Sequence, residues 1–288
     1  MLKSLLILFY SEFLGFISFA RSKYSFKNKI RIFLIWIKIN IKFIFLVKAL
    51  GVLIKNENIL GYKVSAFDYG PIKFLFEEIF FKGQYFIELT ERKPILFDCG
   101  ANIGFATIFF KWMYPESEIF AFEPDKNTFE LLKKNIDQNR LKNVNLFNFA
   151  LTDKEGKIDF FIDNSRPGSL IMSENFDRMP VSHKTLVDAV CLSGFIKERI
   201  VKKIDLIKMD IEGSEKKAME DLDRNNQLNK ISNFIIEYHH RIGNQKSDLG
   251  SFLLLFEKNS FEYQIDTGCI PPGLKKDFQD ILIYAHKP

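Results

Sequence analysis

Cysteine is scarce in this chain of 288 residues, and the few cysteines form no recognisable pattern. Cys99, Cys191 and Cys269 are odd in number and widely spaced, and no Cys-x-x-Cys pair occurs. This excludes a disulfide framework and a zinc knuckle, and it indicates a reducing compartment. With 47% hydrophobic and 27% charged residues, the chain is neither intrinsically disordered nor a polytopic membrane protein.

Negative charge is nearly absent from the first 55 residues. This segment holds ten lysines and arginines and one acid, Glu12, whereas the rest of the chain holds 31 basic and 35 acidic side chains. Basic residues interleaved with bulky apolar ones favour contact with a membrane surface or an acidic partner. The remainder lacks the basic face that nucleic acid binding requires, so we expect no nucleic acid partner.

Residues 1–57 are predicted to form a basic, apolar, helical leader, and residues 58–288 a larger domain. Glu12 interrupts the first apolar run, which disfavours a secretory signal or a spanning helix, because a carboxylate at the bilayer centre costs about 2–3 kcal/mol. Residues 31–48 carry Lys38, Lys42 and Lys48 among apolar residues, a pattern typical of an interfacial helix with lysines toward headgroups. The alternative is a pair of ordinary helices packed on the next domain with their apolar faces internal.

From residue 58 onward, short apolar runs alternate with helical patterns. Strands are predicted at 95–98, 118–122, 144–150, 205–209, 234–238, 261–265 and 281–285, with a further strand or hairpin at 157–162. Helices are predicted at 105–113, from an Asn127 N-cap to residue 139, from about residue 213, and around 252–258. This alternation predicts a doubly wound α/β fold with a mostly parallel sheet. Residues 164–182, rich in Ser, Pro, Gly and Asn, are predicted to form a long active-site loop.

The turn after the first buried strand is Asp98-Cys99-Gly100-Ala101-Asn102-Ile103-Gly104. It fails the dinucleotide fingerprint, because Asn102 and Phe105 stand where the second and third glycines belong, and the chain has no P-loop. An acid at the strand tip followed by a glycine turn suits S-adenosylmethionine, which carries no phosphate and has cationic ammonium and sulfonium groups. Asp98 can hold the amino group directly or through water.

A second acid, Glu123, follows the next strand and lies 23 residues after Gly100. An acid at this place can accept hydrogen bonds from both ribose hydroxyls. The alternative is a structural turn with two solvated carboxylates. The predicted cofactor-binding residues are Asp98, Gly100, Ala101, Asn102, Gly104, Glu123, Pro124 and Phe149.

The same segments resemble the FkbM-type S-adenosylmethionine-dependent methyltransferases. The turn at 98–104 is similar to their D-x-G-A-N-x-G, Phe122-Glu123-Pro124 to their F-E-P, and residues 149–153 to their A-L-S-D with Thr152 for Ser. Residues 185–188 are close to their T-L-D segment, and residues 204–215 resemble their I-D-x-x-K-x-D-x-E-G-x-E.

This resemblance covers about residues 93–288. It implies a class I methyltransferase (Rossmann-like) fold, with a seven-stranded, mostly parallel sheet, an antiparallel last strand and N-terminal helices. It also implies O-methylation of a hydroxyl-bearing small molecule or saccharide, often in surface glycans or secondary metabolites.

Acceptor chemistry is expected at the carboxyl ends of the fourth and fifth strands. Asp210 and Glu212 follow the fourth strand, whereas Glu237 and His239 lie two apart in the fifth and so face the same side. A sugar hydroxyl is weakly acidic and benefits from a base, for which His239 has the most suitable pKa and Asp210 is the alternative. Asp210 and Glu237 could instead hold Mg²⁺, and Lys208 could simply pair with Asp210 or Glu212.

Two other functions are compatible with this fold. An N-methyltransferase or nucleic-acid methyltransferase is disfavoured, because Met209-Asp210-Ile211-Glu212 stands where an Asp-Pro-Pro-Tyr-like clamp would be. A membrane-docked, non-catalytic binding protein with a degenerate methyltransferase domain is disfavoured by the intact Asp98, Glu123 and Asp210. We expect a cytoplasmic enzyme, with peripheral contact to the inner membrane face if the leader is interfacial.

Overall fold

The computed structural model of the chain describes residues 15–163, 172–175, 177, 183–200, 203–243, 245–267 and 279–288. They fall into two compact units, one containing the described residues up to Glu88 together with 137–139, the other running from Leu89 to Ile136 and from Arg140 to Pro288. The domain boundary at residues 57 and 58 stays a prediction. Most of the predicted loop at 164–182 lies outside the described residues.

The first unit combines helices with one hairpin. Helix α1 (Phe26–Ile41) begins after Ser25, whose hydroxyl accepts from the Asn28 N–H, and a π-helical segment, Lys42–Ala49, continues it. Antiparallel strands β1 (Asn56–Ile59) and β2 (Tyr62–Ser65) follow. The unit is completed by helix α2 (Tyr69–Leu75), by the π-helical segment Phe76–Phe81 and by the helical residues 15–21. Within the described part of the chain, no helix has the length and apolarity needed to cross a membrane.

A buried carboxylate ties α1 to the hairpin. Glu57 is contacted by the Lys38 and Lys42 ammonium groups at 2.9 and 2.8 Å and by the Tyr69 hydroxyl at 2.5 Å. Burial alone would raise the pKa of Glu57, but hydrogen bonds from these three groups outweigh it and hold the pKa at about 2. Two of the lysines predicted to face lipid headgroups are therefore paired inside the unit.

The second unit contains a seven-stranded sheet. Its strands are β3 (Ile95–Cys99), β4 (Glu118–Phe122), β5 (Val144–Phe147), β9 (Leu206–Met209), β10 (Asn233–His240), β11 (Glu262–Asp266) and β12 (Gln279–His286). Their order in the sheet is β11-β12-β10-β9-β3-β4-β5. Neighbours from β10 to β5 run parallel, whereas β12 is antiparallel to both β10 and β11. This order and the antiparallel β12 confirm the predicted class I methyltransferase fold.

Helices connect these strands, and most lie where the sequence predicts them. They are α3 (Phe105–Met113), α4 (Lys126–Gln138), α5 (Leu192–Arg199), α6 (Glu215–Arg224) and α7 (Leu249–Lys258), with a 3₁₀ turn at Leu228–Lys230. The N-cap predicted at Asn127 is wrong. Asp125 caps α4 instead, because its carboxylate accepts from the Thr128 N–H at 2.8 Å and its carbonyl from the Phe129 N–H at 2.8 Å.

The strand predicted at 144–150 is two strands in two sheets. After β5, the Asn148 amide donates to the carbonyl oxygens of Glu123 and Pro124 at 2.9 and 3.0 Å, which turns the chain away from the first sheet. A second, three-stranded sheet follows, with strands β6 (Ala150–Thr152), β7 (Gly156–Ile162) and β8 (His183–Cys191). Their order is β6-β8-β7, with β8 parallel to β6 and antiparallel to β7.

Phenylalanine supplies much of the packing that fixes the sheet. Phe97, Phe122 and Phe195 are buried, and the ring centroids of Phe122 and Phe195 are 5.1 Å apart in an edge-to-face contact. On the side of β10, Phe234 and Phe256 pack edge-to-face at 5.9 Å. Such a close-packed sheet holds the carboxyl ends of β3, β4, β9 and β10 in fixed positions along one edge.

Candidate active site

The turn after β3 is pressed against the end of β9. The N–H groups of Gly100 and Ala101 donate to the Phe122 carbonyl at 3.1 and 2.8 Å, and the Asp210 N–H donates to the Cys99 carbonyl at 3.0 Å. Gly100 has a φ of +78°, and a Cβ added there would overlap the carbonyl oxygen of Asp210. Only glycine therefore fits this point of the turn.

Asp98 lies wholly inside the protein beside the turn. Its carboxylate accepts from the Thr107 hydroxyl at 2.6 Å and lies 3.3 Å from the Lys208 ammonium. Lys208, also buried, donates to the Gly100 carbonyl at 2.7 Å and lies 3.9 Å from Asp210. Asp98 thus braces the turn through Lys208, and its predicted contact with a cofactor amino group stays a prediction.

Glu123 is buried at the end of β4 and reaches back to the turn. One carboxylate oxygen accepts from the Asn102 N–H at 3.0 Å and the other from the Asp125 N–H at 2.9 Å. Burial raises the pKa of Glu123 to about 8. Each oxygen has a second lone pair, so the carboxyl group retains the capacity to bind two further hydroxyl groups.

The other predicted cofactor residues surround this carboxyl group or start the next helix. Ala101 is buried, and Gly104, with a φ of +90°, immediately precedes α3. Pro124 and Phe149 are half-buried, and the Phe149 ring lies 5.6 Å from that of Phe122. A glycine turn, an acid at the second strand end and a half-buried aromatic ring fit a ligand with an amino-acid part, a ribose and an adenine.

His239 is the centre of a second cluster, at the ends of β9 and β10. Its Nδ1 lies 2.9 Å from the Glu215 carboxylate. Its Nε2 lies 3.2 Å from Glu212, 3.8 Å from Asp210 and 3.7 Å from Asp280. The ring is buried, so these carboxylates dominate its surroundings.

Glu215 orients this histidine. Its carboxylate is buried and also accepts from the Ile211 and Gly213 N–H groups at 3.1 and 3.0 Å. Burial alone would raise the pKa of Glu215, but the positive charge and hydrogen bond of His239 lower it. An ionised carboxylate can only accept a hydrogen bond, so Nδ1 of His239 donates and Nε2 is directed toward Asp210 and Glu212.

Several groups of this cluster have pKa values displaced from their ordinary range. Burial would lower the pKa of His239, but Glu212 and Glu215 outweigh it and raise the pKa well above 6.5. Burial raises the pKa of Asp210, opposed by Lys208 and His239. The pKa of Glu237 is raised to about 8, first by burial and then by the charge of Asp210. Acidic and basic groups with displaced pKa values are typical of catalytic sites.

The family comparison agrees with this geometry. The family model "Methyltransferase FkbM domain" matches residues 98–263, which include the glycine turn, Glu123, Asp210 and His239. The chain belongs to the FkbM methyltransferase family. It is therefore an S-adenosylmethionine-dependent methyltransferase, as the turn and the second-strand acid predict.

Three curated relatives are similar to this FkbM methyltransferase. "Methyltransferase 1" of Beauveria bassiana is 26% identical, over 71% of this chain and 87% of that protein. "2-O-methyltransferase NoeI" of Sinorhizobium fredii is 29% identical, over 44% of this chain and 56% of that protein. "Hexuronic acid methyltransferase AglP" of Haloferax volcanii is 24% identical, over 53% of this chain and 59% of that protein.

The candidate site of this FkbM methyltransferase also contains residues that the sequence patterns did not assign to it. Glu215 is the last residue of the 204–215 segment, so its place in that motif was the available signal. No pattern in the sequence indicated Asp280, because it reaches His239 only through the antiparallel pairing of β10 with β12. His240, next to His239, faces the other side, where its Nε2 lies 3.2 Å from the Ser247 hydroxyl.

Proposed function

We propose that this enzyme transfers a methyl group to a hydroxyl oxygen, and that the acceptor is a saccharide or glycan precursor. The observation that carries the proposal is the Glu215–His239 pair, which presents a buried imidazole nitrogen beside Asp210 and Glu212. Methylation of a neutral hydroxyl needs a proton acceptor more than methylation of an amine does. The names of two relatives, a 2-O-methyltransferase and a hexuronic acid methyltransferase, support an oxygen acceptor and a saccharide.

One group of residues would bind the cofactor, and a second group would act on the acceptor hydroxyl. The turn at Gly100–Gly104, together with Glu123, Pro124 and Phe149, would hold S-adenosylmethionine, and Asp98 would support the turn. When bound, this cofactor would supply an electrophilic methyl group on its sulfonium, and cleavage of the carbon–sulfur bond would release it as the neutral thioether S-adenosylhomocysteine. Nε2 of neutral His239 takes the hydroxyl proton as the acceptor oxygen becomes bonded to carbon. Glu215 and Glu212 then stabilise the imidazolium through charge and hydrogen bonding.

Asp210, Glu212 and Glu237 have supporting roles in this proposal. Asp210 lies at the end of β9 and is one-quarter exposed, so it can accept a hydrogen bond from the acceptor hydroxyl. Glu237, half-buried with a pKa of about 8, can donate one at neutral pH. These contacts would orient the acceptor and bring one hydroxyl to Nε2 of His239.

The acceptor class is tested by methyl transfer from labelled S-adenosylmethionine. We expect label in neutral saccharides and in saccharides with a carboxyl group, chosen so that none contains an amine, as an ether that survives mild alkali. Partly O-methylated versions of the same saccharides serve as matched controls, because blocking the reactive hydroxyl must remove the label. Label in amines, DNA or RNA, with none in any saccharide, would contradict oxygen transfer and favour the N-methyltransferase or nucleic-acid alternative.

The Mg²⁺ predicted from the sequence would have ligands here, since atoms of Asp210, Glu212 and His239 lie within 4.8 Å of one another. The Lys208 ammonium already places positive charge beside Asp210, which opposes a divalent cation. We therefore expect methyl transfer to change less than about twofold after dialysis against EDTA. A loss that Mg²⁺ reverses would instead assign His239 and the acids to cation binding.

The proposal includes a cytoplasmic site of action. S-adenosylmethionine is made in the cytosol, and glycan precursors are assembled there. The odd number of cysteines is consistent with a reducing compartment, and Cys99, within the turn, is buried.

A further inference from the structure

Ten exposed, bulky apolar side chains occupy the first unit between residues 26 and 53. We call this set the apolar stripe; its members are Phe26, Ile30, Phe33, Leu34, Ile41, Ile44, Phe45, Leu50, Val52 and Leu53. Single exposed apolar residues are ordinary on protein surfaces. A set of this size, concentrated in one segment of the chain, indicates an interaction surface.

The stripe follows one face of α1. Phe26, Ile30, Phe33, Leu34 and Ile41 are separated by three or four residues or by their multiples, which places them on one side of the helix. The opposite side carries the fully buried Ile32 and Ile39. The helix therefore packs against the unit with one face while a second apolar face is exposed, which a simple packed helix does not explain.

Seven of the ten members are more than half exposed, whereas exposure is lowest at Phe33, whose ring stacks against that of Trp36. Phe26 is 79% exposed, Leu34 59%, Phe45 60% and Leu50 70%. Burying such side chains away from water is strongly favourable, so this surface gains free energy from any apolar phase that covers it.

The charge around the stripe indicates which partner covers it. Residues 15–55 contain nine lysines and arginines and no acid. Lys38 and Lys42 pair with Glu57, whereas Lys27, Lys48 and Lys55 are exposed. Two copies of this surface would repel one another, whereas an anionic bilayer offers an apolar interior beneath negative headgroups.

We propose that the apolar stripe is a docking face for an anionic lipid bilayer, with the stripe inserted at the headgroup boundary and the exposed lysines against the headgroups. This location would hold the enzyme at a leaflet where lipid-linked saccharides are concentrated. The docking itself depends on the stripe and its charge, not on the identity of the acceptor.

Co-sedimentation of the full-length chain with vesicles tests the docking. We expect the protein to pellet with vesicles of phosphatidylglycerol and phosphatidylcholine, and at least tenfold less with pure phosphatidylcholine. Raising the salt concentration should weaken pelleting, because the headgroup attraction is screened. A full-length protein that stays in the supernatant with anionic vesicles at low salt would overturn the proposal.

A matched pair of triple variants tests the stripe itself. Replacing Phe26, Leu34 and Phe45 by Ser is expected to lower the vesicle partition coefficient at least tenfold. The control replaces Leu186, Leu254 and Ile265, exposed apolar residues of the second unit, by Ser and should pellet like the wild type. Both variants must keep the helical circular dichroism signal of the wild type and still bind S-adenosylhomocysteine, which verifies that both units are folded.

Two further outcomes would contradict lipid docking. Equal losses in both triple variants would mean that exposed apolar side chains in general, and not the stripe, bind vesicles. A concentration-dependent dimer in sedimentation equilibrium that only the stripe variant abolishes, without vesicle binding by the wild type, would assign the face to a second copy of the chain.

Discussion

Replacing His239 by Gln is expected to lower kcat by about 10²- to 10⁴-fold, the usual contribution of a positioned general base. The Gln amide can still donate toward Glu215, so the strand end should keep its shape, but it cannot take a proton. Titration with S-adenosylhomocysteine should give an unchanged Kd, because His239 lies in the acceptor cluster and not at the glycine turn.

The neighbouring histidine provides the control. His240→Gln changes the same residue type one position away, on the face where the ring contacts Ser247. We expect kcat for His240→Gln within about threefold of the wild type. Equal losses in the two variants would mean that β10 tolerates neither change, and the assignment of His239 as the base would then lose its support.

The pH dependence provides a second measurement of the same assignment. His239 must be neutral to accept a proton, and its pKa is raised well above 6.5, so kcat is expected to increase as the pH rises above that value. Glu212→Gln removes one carboxylate that favours the imidazolium. The rising limb of the pH–kcat profile should then move to lower pH. A rising limb at the same pH in this variant would show that His239 does not set it.

The residues of the predicted cofactor site could be brought together from the sequence because they follow strands directly. Asp98, the glycine turn and Glu123 come at the ends of two apolar runs, and parallel strands bring such ends together. The same reasoning could not show that Asp98 is enclosed by Thr107 and Lys208, because that depends on side-chain packing from β9 and α3.

The acceptor cluster was predictable only in part. Glu237 and His239 share a face because strands alternate, and this follows from their spacing. Glu215 and Asp280 come from a helix start and from an antiparallel partner strand, so their approach to His239 depends on tertiary register. The break at Asn148 was missed for a similar reason, since its amide is held by carbonyl groups after β4.

In the basic leader, the pattern of lysines among apolar residues predicts the exposed surface only in part. Lysines among apolar residues predict an interfacial helix, and the sequence cannot tell which lysines face outward. Glu57, beyond the basic segment, pairs with Lys38 and Lys42 and leaves other basic residues exposed beside the apolar stripe. The pairing of these two lysines with Glu57 therefore determines which basic residues of the segment remain exposed.

Gly100→Ala is expected to abolish binding of S-adenosylhomocysteine and to lower the free energy of unfolding by about 2–5 kcal/mol. The loss has two parts: strain of an L-residue at a φ of +78°, and overlap of the new methyl group with the Asp210 carbonyl. Relief of the overlap must move the turn or the end of β9. Either movement displaces the groups that would hold the cofactor.

Gly156→Ala is the control variant, because it introduces backbone strain without the overlap. Gly156 has a φ of +106° at the start of β7, but an added Cβ there has no neighbour within 4 Å. This control should lose only about 1–2 kcal/mol in denaturant unfolding and keep its affinity for S-adenosylhomocysteine. If Gly100→Ala were to bind S-adenosylhomocysteine normally and unfold like Gly156→Ala, the turn would not be pressed against β9. The cofactor would then have to be held elsewhere along the sheet edge.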